Sequence, residues 1–200
     1  MPEMNLKWDS QLEEFTQYGG SSLERRKEIL SAMRDQFSQG KNCKACQGFC
    51  CTSFYNSMQV TILEAFDLFF YLIKENRMTQ DLVENLKSNV KKYRLDYFLN
   101  TGRNSSFRRS YTCPFFVSGS KGCTIDPEFK PYGCLAFNPL KENVNSEGHC
   151  TSNIALLERR ENLEDDKLNL KLQALLKLNW EKESIPVALL NLIELFEYKT

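Results

Sequence analysis

The stretch Thr61–Glu75, "TILEAFDLFFYLIKE", opens with Thr61 followed three residues later by Glu64, the pattern of a reciprocal capping box at a helix start. Ile62, Phe66, Phe69 and Ile73 then recur at the 4, 3, 4 spacing of a buried helical stripe. The spacing predicts a helix whose aromatic residues belong to a core rather than to a ligand box.

Upstream, "SSLERRKEILSAMRDQFSQG" over residues 21–40 repeats the box with Ser21 and Glu24. Leu23, Leu30, Met33 and Phe37 share one face, and Gly40 supplies a stop signal. Downstream, "DLVENLKSNVKKYRLDYFLNTG" keeps the period through Leu82, Leu86, Val90, Tyr93 and Tyr97, with Asn100 to Gly102 ending it. "NIALLERRENL", "DDKLNLKLQALLKLNW" and "IPVALLNLIELFEY" read as two or three further helices, Ser184 and Pro186 marking the last start. The expected architecture over residues 1–200 is a single, mainly α domain.

The helices frame eight cysteines: Cys43, Cys46, Cys50 and Cys51 in "CKACQGFCC", then Cys113, Cys123, Cys134 and Cys150. From Cys113 to Cys150 helical periodicity disappears, and Pro114, Pro127, Pro131, Pro139, Gly119, Gly122 and Gly133 punctuate the chain with turns. So long an irregular segment needs an organiser, and bonds from dispersed thiolates to a metal would provide one. The expectation is a helical domain whose cysteine-rich loops, within residues 41–150, fold around a metal centre.

A chain of 200 residues buries enough surface to fold without covalent staples. The opening "MPEMNLKWDSQLEEF" lacks a basic segment followed by an apolar one, and no apolar run reaches the roughly 18–20 residues that span a bilayer. A cytoplasmic location without membrane contact is therefore expected, and in a reducing compartment clustered cysteines point to metal or redox chemistry before disulfides.

Lys plus Arg and Asp plus Glu number 26 each, so total charge gives no footprint for nucleic acid, and such a partner is not expected. Charge is nevertheless segregated. Lys41 and Lys44 face no acid in residues 41–58, and Arg103, Arg108, Arg109, Lys121 and Lys130 outnumber Asp126 and Glu128 in residues 101–132. Positive surroundings favour thiolates.

The C-x2-C pair Cys43 and Cys46 lets two thiolates approach one metal from a tight turn. Vicinal Cys50 and Cys51 diverge, so at most one is expected to complete that site, with the other aimed at a second centre or left free. Neighbouring motifs do not fit. A radical S-adenosylmethionine pattern would need a cysteine where Ser53 stands, the ferredoxin run requires a different second interval, and a thioredoxin pair follows a strand rather than a helix and a Gly. No G-x-G-x-x-G follows a strand pattern. His149, the single histidine, and the acids Asp126 and Glu128 lie within the segment, His149 reading as a surface loop residue. Arg108 and Arg109 with Phe107 and Tyr111 read as a solvated loop before a phosphate clasp, and "NSS" at Asn104 as a chance match to a glycosylation acceptor.

The cysteine constellation resembles the YkgJ-type cysteine-cluster family, a zinc- or iron-chelating domain that pairs a CxxCxxCC-like start with a later CPF…C…P…C…F segment. Here that segment is "CPFFVSGSKGCTIDPEFKPYGCLAF", and the resemblance covers roughly residues 41–150. It includes Cys113-Pro114-Phe115, Cys123 with Ile125, Pro131 with Cys134, Phe137, and the Thr61–Glu64 helix start. Three residues separate Cys46 from Cys50 where the family has two, and Lys130-Pro131 and Cys134-Leu135 replace the usual Arg-Pro and Cys-Arg. The resemblance implies a zinc or iron–sulfur centre in a bacterial-type protein, with a structural or redox role. Two other outcomes stand beside it: a metal-dependent enzyme related to flagellin lysine N-methylases, and a thiol-based redox sensor or metal chaperone.

Overall fold

The computed structural model describes residues 24, 26–31, 38, 49–97, 109–118, 122–139, 150–152, 158 and 163–196. Helices dominate, joined by short antiparallel strand pairs. In order these are a 3-10 turn at Phe49–Cys51, β1 (Gln59–Thr61), α1 (Ile62–Lys74), α2 (Gln80–Tyr93), β2 (Phe116–Val117) and β3 (Gly122–Cys123). A second 3-10 turn at Pro127–Phe129 follows, then α3 (Tyr132–Leu135), β4 (Phe137–Pro139), β5 (Cys150–Ser152), α4 (Leu163–Leu176), β6 (Lys182–Ser184) and α5 (Ile185–Leu195).

The capping box at the head of α1 forms as the spacing predicts. Thr61 is extended, its hydroxyl accepts the Glu64 N–H at 3.3 Å, and Glu64 Oε2 accepts the Thr61 N–H at 2.7 Å. A further first-turn donor, the Leu63 N–H, is taken by Asn169 of α4 at 2.9 Å. Beyond this start α1 is buried nearly all round, through Ile62, Leu63, Ala65, Phe66, Leu68, Phe69 and Leu72, so it is the central helix rather than an amphipathic surface one.

Its setting comes from strand pairing. β1 runs straight into α1 and β6 straight into α5, and the two strands pair antiparallel with Gln59 opposite Ser184 and Thr61 opposite Lys182. That register lays α5 against α1 and α2, while α4 packs on α1. Phe69 stacks on Phe196 with ring centroids 5.5 Å apart, and Phe66 and Phe70 meet Phe196 edge-on at 6.1 and 6.2 Å. Each such buried ring contributes on the order of 2–3 kcal/mol.

One helix ends earlier than its spacing predicts. The period through Tyr97 points to a helix continuing to residues 100–102, but α2 ends at Tyr93, because Arg94 turns left-handed at φ 52° and ψ 48°. The Leu95 N–H returns to the Val90 carbonyl at 3.1 Å, which turns Leu95 into the core and leaves Tyr97 outside. In the leading helix, Leu23, Met33 and Phe37 lie outside the described residues, and residues 26–31 bury Ile29 together with a charged side chain, Arg26. Among the described residues no helix is long and apolar enough to cross a membrane.

Candidate metal centre

Three parts of the chain carry Cys50 and Cys51, Cys113 and Cys123, and Cys134, and hydrogen bonds position each of them. The 3-10 turn holding Cys50 and Cys51 meets the CPF segment through the Cys113 N–H, which donates to the Cys51 carbonyl at 2.7 Å. A few residues on, Asn56 and Tyr111 exchange two bonds: Tyr111 N–H to Asn56 O at 2.8 Å and Asn56 Nδ2 to Tyr111 O at 2.9 Å. The buried Tyr111 hydroxyl donates to Met58 O at 2.8 Å and accepts the Ile185 N–H at 3.2 Å, fixing this double strand to the start of α5. Burial pushes the Tyr111 phenol well above its usual value.

Cys123 lies in β3, opposite Phe116 of β2, directly after Gly122, whose φ of 60° a side chain would resist. Arg77, just after α1, holds the next residue: its guanidinium donates to Thr124 O at 2.7 Å, to Thr124 Oγ1 at 3.0 Å and to Tyr71 OH at 3.1 Å. Tyr71 in turn stacks on Phe129 at 4.3 Å. Cys134 sits in α3, whose first N–H, from Tyr132, is accepted by Glu64 Oε1 at 2.8 Å. The same carboxylate that caps α1 therefore places Cys134.

The thiols act on one another. Cys50 and Cys51 bring their sulfurs to 4.0 Å, and this contact, with burial and the neighbouring Cys113 and Cys134, pushes the Cys51 thiol far up. Burial and Cys123 push Cys113 up to about 12, against a hydrogen bond from the Phe115 backbone and the positive charge of Lys130. Cys134 is raised by burial and by Cys113, Cys123 and Cys50, again opposed by Lys130. Cys113 and Cys134 thus feel each other or their thiol neighbours Cys50 and Cys123, and both feel a lysine only 6% exposed, while Cys51 feels Cys50, Cys113 and Cys134. None of the five is in a disulfide.

Cys43, Cys46 and His149 lie outside the described residues, as do Asn104, Phe107 and Arg108. Cys150 opens β5 opposite Pro139, a short distance along the chain from α3. Asp126 caps the second 3-10 turn, accepting the Glu128 N–H at 2.9 Å, and both acids are exposed. Tyr111, fully buried, is withdrawn from any phosphate clasp with Arg109. Among the described residues no group of three Cys, His, Asp or Glu side chains is gathered closely enough to hold an ion.

Two charged residues gain roles that the sequence hid. Lys130 is buried beside Cys113 and Cys134, where its charge acts on both thiols. Arg26, fully buried, pairs with Asp67 of α1, donates from Nε to the Glu128 carbonyl at 3.1 Å and lies over the Tyr132 ring at 5.9 Å. It clamps both sides of Lys130. Its spacing of three and four residues from Leu23 and Leu30 put it on the inner face of the leading helix, a signal outweighed by its charge.

Compared with known protein families, with curated proteins and with solved structures, the chain matches none.

Proposed function

We propose that this chain is a cysteine-cluster metal-binding protein of the YkgJ-like type, acting in the cytoplasm, whose thiolates hold a zinc or iron–sulfur centre with a structural or redox role. The observation that supports this reading is that Cys113 and Cys134, from distant parts of the chain, share the influence of buried Lys130 and of the neighbouring thiols Cys50 and Cys123, with Cys51 beside Cys50. Crowded, buried thiols resist ionisation, since each thiolate repels the next. A thiophilic cation reverses that balance by supplying the missing positive charge, and its ligands then bind as thiolates. Thiolate is the ligand chemistry that such a group takes, and Cys43, Cys46 and Cys150 join these five as proposed ligands for one or two centres. Binding would couple to folding, because the described residues of the segment have only strands of two or three residues and a single helical turn of their own.

The test is metal and acid-labile sulfide content, with a visible spectrum, on protein purified without oxygen, for the wild type and for Cys113→Ser and Cys134→Ser. Stoichiometric zinc in colourless protein, or iron with sulfide and a visible absorption band, is expected in the wild type, with most of it lost in both variants. Metal-free wild-type protein whose melting curve is unmoved by added zinc or by anaerobic iron and sulfide would overturn the reading.

A further inference from the structure

Immediately after Cys51 the chain turns outward. The turn closes through the Tyr55 N–H to the Thr52 carbonyl at 3.1 Å, and it carries two aromatic side chains into solvent, Phe54 86% and Tyr55 65% exposed. Core packing does not account for these rings. The turn is anchored to the end of α2, because Thr112 Oγ1 accepts both the Ser53 N–H at 3.2 Å and the Tyr93 hydroxyl at 2.9 Å.

At the end of α2, to which this turn is tied, cations lie against further rings. Lys92 Nζ lies 5.1 Å from the Tyr93 ring centroid, and Arg94 and Arg109 approach the 51% exposed Tyr97 at 5.0 and 5.5 Å. The left-handed turn at Arg94 is what brings Tyr97 out between the two guanidiniums. Arg109 Nε is buried without a hydrogen-bond partner among the described residues, and its guanidinium lies against the Tyr97 ring. Asp96 is the acid within this stretch, against Lys92, Arg94 and Arg109. The balanced total charge of the chain conceals this local excess.

We propose that this surface binds single-stranded nucleic acid, with unpaired bases stacking on Phe54 and Tyr55 and the phosphate backbone crossing Lys92, Arg94 and Arg109. Exposed rings beside a row of cations suit a single strand, whose bases are free to stack while its phosphates follow the positive charge. A duplex hides its base faces, and an acidic protein would engage the cations without needing flat rings. Nothing in this surface uses the thiols, so it stands or falls apart from the metal reading.

The experiment is fluorescence anisotropy of dye-labelled single strands of about 12 nucleotides, as oligo(dT) and oligo(rU), titrated with the full-length protein. Micromolar binding is expected, weakening roughly 20-fold between about 50 and 200 mM salt if three phosphates are neutralised. The double variant Phe54→Ala/Tyr55→Ala, and separately Lys92→Gln/Arg94→Asn, should each lose at least tenfold in affinity with circular dichroism unchanged. No anisotropy change at low salt would overturn the proposal. So would binding that survives removal of both rings and is competed equally by polyglutamate, an outcome that assigns the surface to an acidic protein partner.

Discussion

The carboxylate of Glu64 joins its own helix start to Tyr132, 68 residues away: one oxygen accepts the Thr61 N–H at 2.7 Å and the other the Tyr132 N–H at 2.8 Å. A capping residue thereby becomes the support for α3 and Cys134.

Glu64→Ala should destabilise the protein by about 2–4 kcal/mol, the sum of a lost cap and an unsatisfied buried N–H at Tyr132. Glu64→Gln, which keeps one acceptor, should cost less than half as much. Urea unfolding of the two variants decides the matter, and equal losses would mean that only one of the two bonds contributes.

Arg26 and Asp67 form a buried ion pair, with side chains 0% and 7% exposed. Removing one partner strands the other charge, so Arg26→Met or Asp67→Asn alone should cost about 3–5 kcal/mol. The double variant should cost clearly less than the sum of the two. Additive losses in a double-mutant cycle would show that the pair is uncoupled.

Arg77 spans Tyr71 and Thr124, so it fixes the strand that brings Cys123 toward Cys113. Arg77→Lys replaces a fork by a point donor and should cost about 1–3 kcal/mol. Amide exchange should accelerate at Thr124 and Ile125 before it does in α1. Uniform acceleration across the molecule would locate the loss elsewhere.

Glu183, in β6, is buried, and its carboxyl sits above the usual value because burial disfavours the charge, against a 2.6 Å bond from the Ser184 N–H. The folded state then holds this proton to higher pH than the unfolded chain. The stability it contributes is complete below the ordinary Glu value of about 4.3 and is lost as pH rises through the folded value. Glu183→Gln should therefore be more stable than the wild type at pH 7, with the difference closing on acidification toward pH 4. Melting temperatures across that range test it, and a constant difference would rule out titration as the cause.

Local chemistry in the sequence was enough to specify several elements. The Thr61–Glu64 box, the stripe through Ile62, Phe66 and Phe69, and the helix after Ser184 all appear as the spacing predicts, because a cap needs a partner three residues away and a stripe needs only the helical period. The same period ran past Tyr93, since nothing in the local pattern registers that burying Leu95 makes a left-handed Arg94 worthwhile.

What only the tertiary structure decided involves partners distant in sequence. The pairing of β1 with β6, the burial of Arg26 against Asp67, the withdrawal of Tyr111 and the second role of Glu64 each depend on elements meeting in a particular register. Cysteine spacing gathered Cys50 with Cys51, but bringing them near Cys113, Cys123 and Cys134 required those registers, and so did setting Phe54 and Tyr55 beside the end of α2. Hydrogen bonds and periodicity along a segment are written in neighbouring residues, whereas long-range contacts follow from which buried surfaces fit together once the segments have formed.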